Sequence, residues 1–185
     1  MEKYVSVLRG INVGGHRKIL MADLRSLFSG LGFLNIETYI QSGNVIFNSN
    51  KNQSCSELAN IIQEEIKTVY NYEVPVIVIK AESLTPIIYN NPFADGENIN
   101  QLFLTFLSEK PEENKVIEMN KLSFLPDKFE VKESLIYGYF HGKFHQTKIS
   151  NQLFEKKLKV SATTRNWKTV LKIAELILSN SPKIS

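Results

Sequence analysis

The segment Leu8-Arg-Gly-Ile-Asn-Val-Gly-Gly-His-Arg-Lys18 follows an apolar run and precedes a helical pattern, so its reading decides the fold. Gly10 and Gly15 have the G-x-x-x-x-G spacing of a phosphate loop, but His16 and Arg17 stand where that loop needs Lys and then Ser or Thr. Without the lysine no point charge reaches the terminal phosphates, and without the hydroxyl magnesium has no protein ligand, so nucleotide hydrolysis is not supported. The G-x-G-x-x-G fingerprint of a dinucleotide turn, which follows a parallel strand, is also missing. The elements around the turn must therefore define the architecture.

Upstream, Tyr4 to Ile11 reads as a strand. Downstream, Leu20, Leu24, Leu27, Phe28 and Leu31 fall at helical spacing and stop at Gly30 and Gly32. Ile36 to Gln41 and Val45 to Asn48 read as two strands joined at Ser42-Gly43-Asn44, where Gly and Asn accept positive φ. Leu58, Ile61, Ile62, Ile66 and Val69 mark a second amphipathic helix, and Val76 to Ile79 a short buried strand. This βαββαβ order is that of a ferredoxin-like unit over residues 1–80.

A helical connector (Leu84 to Tyr89) and a turn occupy residues 81–100. Residues 101–185 then repeat the order as a second ferredoxin-like unit with C-terminal helices: a strand from Gln101 to Leu107, a helix from Pro111 to about Lys121, a hairpin of Phe129 to Lys132 with Leu135 to Phe140, and helices Asn151 to Leu158 and Arg165 to Leu178. The second unit reads as an incomplete βαββα, with no final strand expected. The fold class is α+β.

The chain has 185 residues, 43% hydrophobic and 22% charged, enough for one large or two small cores. The N-terminus shows no signal segment and there is no run of eighteen apolar residues, so a soluble, cytoplasmic protein without membrane association is expected. Cys55 is the only cysteine, which excludes an internal disulfide and a thiolate zinc cluster. Net charge is +3, but residues 143–183 hold nine Lys or Arg against two Glu, which leaves −4 for the remainder. That basic quarter is a solvated face or meets a polyanion.

Two blocks, YVSVLRGINVGGHRKILMADLRSLFSGLGFLNIETYIQSGNVIF near the start and TTRNWKTVLKIAEL near the end, closely resemble the bacterial family called domain of unknown function 1697. The resemblance spans essentially the whole chain and implies a cytoplasmic α+β protein of ferredoxin-like character with no established reaction. The family pattern falls on Leu8, Arg9, Gly10, Asn12, Val13 and Gly14, on Ser42, Gly43 and Asn44, and on Thr164, Arg165, Asn166, Trp167 and Thr169. The family usually has a proline before the methionine where this chain reads Ile19-Leu20-Met21, which alters only the approach to the helix.

Amide N–H groups in the glycine turn, the start of the following helix and the side chains of Arg17 and Lys18 would attract an anion. Thr163 or Thr164 is expected to cap the last helix, which puts Arg165 and Asn166 in its first turn, where a cation is disfavoured unless an anion joins it. The anion-binding set is thus Arg9, Asn12, Gly14, Gly15, Arg17, Lys18, Arg165 and Asn166, with Ser42, Gly43 and Asn44 beside it. The expected partner is a phosphate-bearing small molecule or nucleic acid, with no cofactor and no metal. The alternatives are an enzyme on a phosphorylated or carboxylated small molecule, using Ser42 or His16 for proton transfer, and a self-associating or protein-interaction domain.

Other features have structural explanations. Trp167 sits in the buried stripe of the last helix, and Tyr137 and Tyr139, on one strand face, suit packing between the two halves better than base stacking. His141 and His145 lack a third ligand for a metal. Cys55 is near a helix start, which can lower a thiol pKa, but no His is close in sequence and a catalytic thiol is not expected.

Overall fold

Alternation along the first strand determines which side of its sheet the helices cover. In the computed structural model, which describes residues 1–50, 52–95, 98–141 and 147–179, β1 (Glu2–Leu8) directs Tyr4, Ser6 and Leu8 to one face and Lys3, Val5 and Val7 to the other. β1 lies between β3 (Asn44–Ser49) and β4 (Val76–Lys80), antiparallel to both, with Val5 opposite Ile46 and Ile79. β2 (Leu34–Tyr39) pairs with β3 and completes the order β2-β3-β1-β4.

Tyr4 and Leu8 join Val45, Phe47, Val76 and Val78 in a core closed by α1 (Met21–Gly30) through Leu24, Leu27 and Phe28, and by α2 (Cys55–Tyr70) through Leu58, Ile62 and Ile66. Phe28, Phe33 and Phe47 form its centre, with ring centroids 4.5 to 5.8 Å apart. Each such side chain contributes about 1.5–3 kcal/mol by leaving water. α2 starts at a capping box: the Ser54 hydroxyl accepts from Glu57 N–H (3.2 Å) while the Glu57 carboxylate accepts from Ser54 N–H (2.7 Å).

A short helix, α3 (Leu84–Tyr89), leads to the second sheet. β5 (Leu102–Leu107), α4 (Glu113–Asn120), β6 (Lys128–Lys132), β7 (Leu135–Tyr139) and α5 (Asn151–Leu158) follow the sequence reading closely. The sequence reading is corrected at the next element. Residues Ala162–Asn166 form a strand, β8, antiparallel to β5, so the second unit has the full βαββαβ order and its sheet runs β6-β7-β5-β8. Thr163 and Thr164 are thus strand residues, and α6 spans Trp167–Ser179. Its cap is Asn166, whose side-chain oxygen accepts from Thr169 N–H at 2.8 Å.

β8 is held on the helix-covered side by hydroxyl contacts: Thr164 Oγ1 lies 2.7 Å from Thr105 Oγ1 and donates to Asn151 Oδ1 at 2.6 Å. Leu107, Met119, Ile136, Phe154, Leu158 and Ala162 form the apolar core of this unit. The chain divides into two compact units, one of Met1–Thr85 joined by the segment from Ile173, the other of Pro86–Lys172. Within the first, Lys3 Nζ donates to the Ile177 carbonyl at 3.1 Å. The protein is thus a mixed α+β chain with two four-stranded antiparallel sheets and six α-helices among the described residues. None of those helices is long and apolar enough to cross a membrane.

Gly43, at φ +79°, has no room for a side chain: a Cβ there would lie 2.7 Å from Leu8 Cβ and 2.8 Å from Ile11 Cδ1. Gly43→Ala is expected to lower stability by on the order of 2–4 kcal/mol, from overpacking plus the left-handed backbone. Urea denaturation measures this, and an unchanged midpoint would mean that the hairpin moves aside freely.

Candidate functional site

The connection from β1 to α1 starts and ends in the core, since Ile11 and Ile19 are both buried. Between them the backbone forms a small hairpin. Val13 and His16 make an antiparallel bridge, with His16 N–H donating to the Val13 carbonyl at 3.0 Å. Gly14 (φ +59°) and Gly15 (φ +79°) occupy the two central positions, where a type I′ turn needs positive φ. The glycines therefore shape a two-residue reversal and do not wrap a helix start as in a phosphate loop.

Asn12 fixes this hairpin to its surroundings. Its Oδ1 accepts from Ile19 N–H (2.9 Å), and its Nδ2 donates to the carbonyls of Ile19 and Gln41 (2.9 Å each). Asn12 N–H also donates to the Arg17 carbonyl at 3.2 Å. Expected as an anion contact, Asn12 has both ends of its amide engaged in holding the turn. Nearby, Leu8 N–H donates to the Gly43 carbonyl (2.8 Å) and Arg9 N–H to the Pro75 carbonyl (2.9 Å). Asn44 is buried and its Nδ2 donates to the Tyr39 carbonyl (3.0 Å) and to Ser42 Oγ (3.1 Å). The turn and the hairpin Ser42-Gly43-Asn44 thus meet at one end of the first sheet, through backbone and Asn12.

Arg17 and Lys18 follow the reversal, half-exposed and exposed. Arg17 adopts φ +47°, a region that non-glycine residues rarely occupy. Among the described residues neither its guanidinium nor the Lys18 ammonium has a hydrogen-bonding or ionic partner. The exposed His16 imidazole likewise bonds to none of them, Ser42 included. α1 starts only at Met21, after an extended Leu20 that offers no side-chain cap, and Asp23 already places a carboxylate in its first turn.

Arg165 and Asn166 belong to the second unit and lie on β8, not in a helical turn as expected from the sequence. Arg165 is buried. Its Nη1 donates to the Thr164 carbonyl at 3.0 Å, and burial pushes the guanidinium down to about 10, which leaves it cationic at neutral pH. The electrostatic anomaly inferred for it disappears with the helical turn, and the Asn166 side chain caps α6. Trp167 is buried, as its place in the apolar stripe requires.

Tyr137 and Tyr139 bond within their own unit, to the Ile87 carbonyl and to Gln101 Oε1 at 3.0 Å each. His145 lies outside the described residues, among which no group of three metal-ligating side chains is found. At Cys55 burial raises the thiol pKa, outweighing the nearby Lys80 ammonium, so the helix start does not activate it. The sequence reading missed a cleft of about 560 Å³ in the second unit, bordered by Phe93, Phe124 and Phe129. Its walls come from a turn, the end of α4, the loop after it and the start of β6, residues that share no motif spacing.

The family model described as "Protein of unknown function (DUF1697)" matches residues 1–137. A solved structure, that of the conserved bacterial protein SP0830 from Streptococcus pneumoniae, is similar with a TM-score of 0.73 at 25% identity, covering 95% of this chain and 98% of that one. No curated protein matches the chain.

Asn12→Ala removes three side-chain bonds and places alanine at positive φ, with an expected loss of about 1–3 kcal/mol. Asn12→Gly tolerates the positive φ and loses only the amide, so its own loss reports the bonds, and the further loss in Asn12→Ala reports the backbone strain. Hydrogen exchange at Ile19 N–H should accelerate in both, and unchanged protection would contradict the clamp. At pH 8 Cys55 should react with iodoacetamide more slowly than free cysteine, since a raised pKa leaves less thiolate; faster alkylation would reverse that assignment.

Proposed function

We propose, for a chain that belongs to the DUF1697 family of proteins of unknown function, that the turn from Arg9 to Lys18 binds a phosphate-bearing ligand, either a nucleic-acid backbone or a small metabolite. The observation that carries this reading is the pair Arg17 and Lys18, two cations without described partners on a turn that Asn12 holds in place. Backbone at positive φ costs of order 1 kcal/mol for a side chain such as arginine, and such strain concentrates where a binding geometry is needed.

The N–H groups of Gly14 and Gly15 add to the charge, since neither donates to another described residue. Arg9 enters the turn from the end of β1 and contributes the third cation. Asn12 has a supporting part, by fixing the turn, and Arg165 and Asn166 have none. Each unit is further inferred to be ferredoxin-like, a reading supported by its βαββαβ order and by a central first strand flanked by the third and fourth.

Fluorescence anisotropy with a labelled single-stranded oligonucleotide, competed by inorganic pyrophosphate, tests the site and separates the two ligand classes. Competition by pyrophosphate at concentrations near its own dissociation constant favours a metabolite; its failure, with binding that falls steeply with salt, favours the backbone. Arg17→Ala with Lys18→Ala should flatten the log–log salt dependence by roughly 1.4, two contacts at about 0.7 each for a single strand. Identical affinity and salt slope in the double variant would refute the proposal.

A further inference from the structure

The loop between α4 and β6 borders the 560 Å³ cleft of the second unit, a volume within the ~300–1,000 Å³ typical of small-molecule sites. Phe93, Phe124 and Phe129 give it an aromatic lining, and all three rings are half-buried. Phe129 lies 6.1 Å from Phe124 and 6.1 Å from the fully buried Phe154, so this wall continues the core.

The loop is fixed at its base. Asp127 N–H donates to the Phe124 carbonyl at 3.1 Å, and the Asp127 carboxylate accepts from His141 N–H (2.8 Å) and from the Thr147 hydroxyl. On the segment that carries Phe93, Asn91 Oδ1 accepts from Phe93 N–H at 3.0 Å, while Asn91 Nδ2 is buried without a partner. Such an open buried donor is uncommon among the described residues, and Asn91 is not itself part of the cleft wall.

The charges around the cleft cancel, and all but that of the exposed Lys121 are engaged within the chain. Lys121 and Lys128 stand against Asp127 and Glu130. Both Asp127 oxygens accept hydrogen bonds, Glu130 pairs with Lys132 at 3.1 Å, and Lys128 Nζ sits 5.4 Å from the centre of the Tyr139 ring. Neither a strong anion nor a strong cation is favoured there. Asn120 and Ser123, both exposed on the rim, add neutral donors and acceptors.

We infer that this cleft binds a planar, uncharged heterocycle carrying both hydrogen-bond donors and acceptors, of the nucleobase type, against the faces or edges of its three phenylalanines. The inference does not depend on the basic turn of the first unit.

The test is an amide ¹H–¹⁵N NMR titration of the full chain with adenine, benzoate and benzylamine in turn. Adenine should give saturable shifts confined to Asn120–Glu130 and the segment around Phe93. Phe124→Ala should weaken it at least roughly fivefold, the lower end of what loss of one stacking ring removes. Ser123→Trp, which fills the rim from an exposed position, should abolish the shifts with the melting temperature unchanged; if Phe124→Ala does not fold, this second variant decides. Absent or scattered adenine shifts, equal binding of benzoate or benzylamine at the same amides, or adenine shifts that persist in Ser123→Trp would each overturn the inference.

Discussion

One carboxamide, that of Asn12, determines where the charged turn of the first unit sits. Ile11 and Ile19 bury the two ends of the turn, but apolar contacts are not directional and leave its orientation open. Asn12 removes that freedom by bonding both backbone groups of Ile19 and reaching Gln41 in the neighbouring hairpin. The arrangement in turn requires Gly43, because Leu8 and Ile11 approach its Cα too closely for any side chain. The opening sequence block and the hairpin at Ser42-Gly43-Asn44 are thus two halves of one interlocked corner.

The second unit shows that the fold itself does not need this corner. Both sheets have the same strand order, yet the step from first strand to first helix takes residues 9–20 in one and only 108–112 in the other. Five residues, with no glycine among them, close the connection in the second unit. The longer turn, its positive φ values and its cations are therefore an elaboration on a scaffold that is complete without them. Segments of this kind, held by a rigid framework but not required by it, are where binding residues concentrate.

Apolar periodicity made most of the architecture legible: the residues forming α2, α5 and the two hairpins stand out in the sequence because of their apolar spacing and, in the first hairpin, the turn glycine Gly43. β8 was hidden because Ala162-Thr-Thr-Arg-Asn166 is short and polar, and threonine before an apolar stripe suits a helix cap as well as a strand. That single misreading moved Arg165 from a buried strand position into a helical turn and produced an electrostatic anomaly that the structure removes. Asn12 was recognisable as a special residue but not as a clamp, since its partner Gln41 lies 29 residues away. The aromatic cleft was not legible in spacing, because its walls combine a turn before β5 with the end of α4, the loop after it and the start of β6.

Magnitudes limit what the basic turn is able to bind. A solvent-accessible cation contributes about 0.2–1 kcal/mol to an ionic contact, so the half-buried Arg9 and Arg17 and the exposed Lys18 together fall well short of the roughly 8 kcal/mol that micromolar affinity requires. Fixed amide donors narrow the gap, because their geometry is set before the ligand arrives. A single phosphate would still be held weakly. A ligand with several phosphates gains on each one through released counterions, and a turn whose position is already fixed by Asn12 loses little on engaging them. For the site proposed here these magnitudes therefore favour a polyanion over a monophosphate, without any contribution from the buried Arg165.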